Sequence, residues 1–173
     1  MENEEVLFEG QATYSKENIS DYVLTCLIKK RIWQLLFPPL AFLAIGLVLM
    51  LIQGGDLVIY GVVLIACGAF IVSLYFFQYQ NSVKVLYTRA CEENNGKEPT
   101  NIVKIFNTEI ILLNTLTANK FTYSISTIKK LYESKNLIFL VSQSKLSIII
   151  EKSKIVLGNK DELIKFVKSK VQA

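Results

Sequence analysis

The chain has 173 residues, 19 of them basic and 15 acidic, with three cysteines and no histidine, and 51% of it is hydrophobic. With no histidine, no Cys-x-x-Cys pair, no glycine-rich phosphate loop and no suitably spaced carboxylates, it lacks the usual signatures of zinc, thiol-redox, nucleotide and acid–base chemistry. We read it as non-enzymatic and without a cofactor, and its length allows one membrane element plus at most one small domain.

Residues 6–14 (VLFEGQATY) alternate as a strand does, with Phe8, Gly10, Ala12 and Tyr14 on one face. Ser15 is placed to cap a helix in which Tyr22, Val23, Cys26 and Leu27 recur at helical spacing. This helix is expected at the cytoplasmic interface or leading into the next element.

Two apolar runs follow. No charged residue occurs in 32–55 or 57–83, and each 21-residue core, 32–52 and 57–77, holds 13 residues from Leu, Ile, Val and Phe. A spanning helix needs about 20 apolar residues, and a small domain cannot cover two such helices on all sides. Gly54-Gly55-Asp56 is turn chemistry, so the runs form an antiparallel hairpin. Lys29, Lys30 and Arg31 precede it and Lys84 and Arg89 follow it, while the turn has no basic residue. Basic flanks stay inside, which predicts a multi-pass protein of the plasma (inner) membrane with both termini cytoplasmic. Trp33 and the group Tyr75, Phe76, Phe77 and Tyr79 suit that same interface. Pro38-Pro39 is expected to kink or delay the first helix, and Gly61, Gly68, Ala69 and Ser73 allow close helix approach. Cys26, Cys67 and Cys91 are far apart and read as free thiols in a reducing compartment.

Val83, Leu86, Tyr87 and Ala90 carry a helical stripe out of the membrane until Asn94-Asn95-Gly96 and Pro99 stop it. From Thr100 the pattern turns to short strands at 101–106, 109–113, 120–125, 128–133, 137–142 and 146–150. Asn159 then caps a closing helix whose apolar face is Leu163, Ile164, Val167 and Val171. The expected organisation is a cytoplasmic strand and helix (1–31), a transmembrane helical hairpin (32–80), a helical extension and linker (81–97), and a cytoplasmic antiparallel β domain closed by a C-terminal helix (98–173). The fold class is α+β.

Residues 84–173 carry fifteen basic and eight acidic side chains. This excess reads either as ordinary cytoplasmic bias or as contact with anionic phospholipid headgroups. Lys129, Lys130, Lys152 and Lys154 are the candidate contacts, and on a regular strand one of Lys129 and Lys130 points outward. No nucleic-acid motif accompanies the lysines.

Phe121-Thr122-Tyr123-Ser124, Ile128-Lys129-Lys130-Leu131-Tyr132-Glu133, Phe139-Leu140 and Leu146-Ser147-Ile148-Ile149-Ile150, together with the N-terminal strand and the hairpin, resemble the YcxB-like family of small bacterial membrane proteins over nearly the whole chain. The family shows Ile-Pro-Lys and then an aromatic residue after the last strand. Glu151 and Ile155 stand at those places here, so that loop is expected to differ. The resemblance implies a cytoplasmic pleckstrin-homology-like domain, which the count of seven strands and one closing helix also matches. It brings no established activity and no catalytic residues. The expected function is a membrane-anchored cytoplasmic binding or regulatory module, the alternative an accessory subunit of a larger transport or signalling complex. Its expected partners are the bilayer, anionic headgroups, and a protein partner or second copy.

Overall fold

The structure, a computed structural model, describes residues 5–28, 32–52, 55–144 and 146–171. The basic cluster at 29–31, residues 53 and 54 of the turn, residues 1–4 and Lys145 lie outside them.

β1 (Phe8–Thr13) buries the face the alternation marks, Phe8, Gly10 and Ala12. Ser15 caps α1 (Lys16–Tyr22), its hydroxyl accepting from the Asn18 amide at 3.2 Å, and α1 runs into a π-helical turn, Val23–Ile28. α2 (Ile32–Leu51) contains Pro38 and Pro39 within a continuous helix, so the prolines do not delay its start. α3 (Gly55–Glu92) is a single 38-residue helix, about 57 Å long at 1.5 Å per residue. Asn95 and Gly96, both at positive φ, end the turn after it.

α3 is long and apolar enough to cross a membrane, and only 11% of its most apolar window is buried in the protein. So little burial is unlike the core helix of a soluble protein and supports membrane association. α2 packs antiparallel along it, but its described apolar stretch, Leu35–Leu51, is shorter than a usual span. Glycine sets the closest approach: a Cβ on Gly46 would stand 2.8 Å from the Gly61 carbonyl oxygen, and one on Gly61 would stand 2.7 Å from that of Gly46. Of the small residues read from the sequence, Gly61 and Gly68 are buried against α2, while Ala69 and Ser73 are exposed.

The rest is an antiparallel β domain. β2 (Thr100–Ile105), β3 (Glu109–Asn114) and β4 (Lys120–Ser124) form one sheet with β1 and a short β8 (Ile155–Leu157), in the order β4-β3-β2-β1-β8. β5 (Ile128–Glu133), β6 (Leu137–Ser142) and β7 (Ser147–Glu151) form the second. β8 was not expected. Three residues carry too little alternation to read as a strand, and β8 exists because β1 offers it an edge, Gly10 pairing with Ile155. β1 also pairs with β2 from Phe8↔Ile105 to Thr13↔Thr100, so the N-terminal strand is interior to the sheet.

Val103, Ile105, Ile110 and Leu112 face Ile138, Leu140, Ile148 and Ile150 across the core. α4 (Lys160–Val171) closes it with Leu163, Ile164 and Val167, capped by Asn159, whose Oδ1 accepts from the Asp161 amide at 2.9 Å. The second sheet is covered on both faces. Leu137, Phe139 and Ile149 pack outward against Tyr22 and Cys26, which is why β6 reads as a continuous apolar run, LIFLVS. Ile19 and Val23 meet Val83 on α3 in a third cluster, fastening the domain to the helical rod.

Two outcomes follow from this packing. Deleting residues 1–13 removes an interior strand, so the domain should lose its resistance to limited proteolysis; equal resistance of a 98–173 fragment and the full chain would contradict it. Gly158 sits at φ +83 with a Cβ position 2.4 Å from Phe8 Cδ1. Gly158→Ala should therefore speed amide exchange in β1 and β8 by about 5- to 150-fold, the equivalent of about 1–3 kcal/mol of strain.

Candidate functional site

The four lysines separate into two pairs. Lys152 donates to Glu133 Oε1 and to the Ser134 carbonyl at 2.6 Å. Lys154 donates to Glu151 Oε1 at 3.0 Å and to Thr13 Oγ1 at 3.1 Å. The same Glu151 oxygen accepts from the Thr13 amide at 2.8 Å and from Asn18 Nδ2 at 3.2 Å. Lys152 and Lys154 thus tie the turn after β7 to β5 and β1. Lys129 and Lys130 form no ion pair among the described residues, and both are exposed. The expected alternation fails there because the β5–β6 register slips between Ile128 and Lys130, leaving Lys129 as an extra residue.

Lys130 lies at a groove of about 850 Å³ between the domain and the helical pair. Lys130, Tyr132 and Val141, from the outer face of the second sheet, form one wall. Leu35, Leu36 and Pro39 of α2, with Val72, Tyr75, Phe76, Tyr79 and Ser82 of α3, form the other. The π-helical turn contributes Val23 and Cys26 between them. Among the described residues Lys130 is the only charged one on this lining, and Tyr79 is positioned by a hydrogen bond between its hydroxyl and that of Ser20.

A second cavity of about 430 Å³ occupies the end of the domain that faces α1 and the end of α3. Tyr14, Tyr22, Phe121 and Tyr123 line it, with Asn101, Asn114 and Ser147 among them. Burial pushes the Tyr14 hydroxyl up to about 12, against a hydrogen bond from Asn101 that lowers it. Ser147 Oγ donates to the Tyr22 hydroxyl at 2.9 Å and Asn114 Nδ2 to Asn94 Oδ1 at 2.7 Å, but Asn101 Oδ1 is buried without a partner. Sequence reading missed this cavity; its one signal was polar Asn101 next to the apolar pair Ile102-Val103.

Cys26 is buried, and its thiol is pushed up to about 12, by burial first and then by Asp21, which disfavours the thiolate. Cys67 is exposed on α3 and Cys91 half-buried, both as free thiols. Among the described residues no cluster of three or more His, Cys, Asp or Glu is placed to hold a metal.

The Glu133 carboxyl is held below its ordinary 4.5, first by the hydrogen bond from Lys152. A lowered carboxyl contributes stability above its ordinary pKa and loses it as pH falls through the lowered value. Glu133→Gln should therefore cost at most about 1 kcal/mol at neutral pH, since the pair is partly exposed. The stabilities of parent and variant should converge as pH falls through the lowered Glu133 value.

No family model and no curated protein matches the chain. A solved structure that resembles part of it is the C-terminal domain of an unknown protein from Leishmania infantum, 16% identical, covering 46% of this chain and 74% of that one, with a TM-score of 0.35. A likeness at that level carries no argument about fold or function.

Proposed function

We propose that the protein is a non-enzymatic membrane-anchored binding or regulatory module of the kind the YcxB-like resemblance implies. In this reading α2 and α3 both cross the plasma membrane, both termini are cytoplasmic, and the β domain is pleckstrin-homology-like. The observation that carries the reading is the unbroken course of α3, from an apolar segment exposed on nearly all sides into the extension on which Ile19 and Val23 seat the domain. About 20 of the 38 residues of α3 suffice to cross the hydrocarbon layer, leaving roughly 18 residues, or about 27 Å, to carry the domain. A domain so mounted cannot leave the surface, and its unpaired lysines attract anionic headgroups at short range.

A second reading is a subunit of a larger membrane complex. It is favoured by the edge strand β4, where Phe121 is 52% exposed beside the smaller cavity, with Leu116 and Leu146 exposed nearby. Purification from native membranes in mild detergent separates the two: a stoichiometric protein partner supports the subunit, and lipid alone supports the module.

The topology is tested by thiol labelling in a chain with Cys67 and Cys91 replaced by serine. An impermeant reagent should label Gly55→Cys in intact cells and should reach Lys97→Cys only after permeabilisation. Labelling of Lys97→Cys in intact cells, with Gly55→Cys silent, would overturn the assignment.

A further inference from the structure

We infer that the groove between the β domain and the helical pair is a binding site for one anionic phospholipid of the cytoplasmic leaflet. The inference rests on the membrane reading above and adds to it a discrete site with Lys130 on its wall. The groove, about 850 Å³, lies in the range of ligand pockets, about 300–1,000 Å³. It is built in the order a phospholipid requires. Leu36, Pro39, Val72 and Phe76 give an apolar trough along two helices, fit for acyl chains. Further along α3, toward its C-terminal extension, the lining gains polar Gln78 and Ser82.

Charge decides which lipid. Among the described residues Lys130 has no ion pair and no acidic side chain lines the groove, so Lys130 brings an uncompensated positive charge to its wall. An ammonium beside low-dielectric walls attracts an anion more strongly than one in open water. A headgroup with a net negative charge satisfies it, whereas a zwitterionic headgroup brings a competing cation. Of the four candidate lysines, Lys152 and Lys154 are already engaged by Glu133 and Glu151, and of the remaining two only Lys130 lines the groove.

The test uses the full chain in detergent, with native mass spectrometry of bound dioleoylphosphatidylglycerol against dioleoylphosphatidylcholine at matched concentrations. The expected result is preferential retention of one phosphatidylglycerol. Lys130→Gln should weaken it by about five-fold or more, while Lys120→Gln, an equal loss of charge on exposed β4, should leave it unchanged. Val72→Trp, at a half-exposed position, should displace the lipid by filling the trough without changing protease resistance. Equal retention of the two lipids, or equal weakening by Lys120→Gln and Lys130→Gln, overturns the site in favour of diffuse surface charge. A failed membrane reading registers separately, in the labelling scan.

Discussion

The threading of β1 is the constraint on which the rest depends. The chain enters the sheet between the places later taken by β2 and β8, leaves through α1 and the two apolar helices, and returns to complete the same sheet. The hairpin is therefore an excursion from one folded domain. Both of its ends are held by that domain, through β1 on one side and β2 on the other. The Glu151 carboxylate reinforces the junction by accepting from Thr13 and Asn18 at the exit of β1.

Because the domain is tied at both ends, its orientation relative to α3 is set by packing. Ile19 and Val23 meet Val83, while Tyr22 and Cys26 turn toward Phe139, their rings and side chains filling the space between sheet and rod. α1 and the π-helical turn thus act as a wedge with an apolar face on either side. Asp21 adds polar fastening by accepting from Ser134 at 2.6 Å, in the β5–β6 turn. The wedge gives the protein its large groove, because it holds the outer face of β5 and β6 beside α2 and α3 without closing the space completely.

The lysines illustrate how position sorts chemically equal side chains. Lys152 and Lys154 occur in a tight turn flanked by carboxylates and are absorbed into the fold. Lys129 and Lys130 occur where a register slip interrupts an edge strand, and they stay open. A bulge on an edge strand also guards against pairing with another chain, so one irregularity both protects the edge and presents the charge.

Much of this architecture was legible in the sequence, because it follows from local patterns. The apolar runs, the alternation of residues 6–14, the Ser15 and Asn159 caps and the stop at Asn94-Asn95-Gly96 depend on periodicity and backbone preference, which neighbouring residues express by themselves. What tertiary structure decided are the relations between segments distant in the chain. β8 is a strand only because β1 supplies its partner, and the closest contact of the hairpin is a match between Gly46 and Gly61. The division of the lysines depends on which of them meets a carboxylate, and both cavities form only where separate elements fail to close upon each other. Pairing, register and void are properties of two or more segments at once, so no single stretch of sequence contains them.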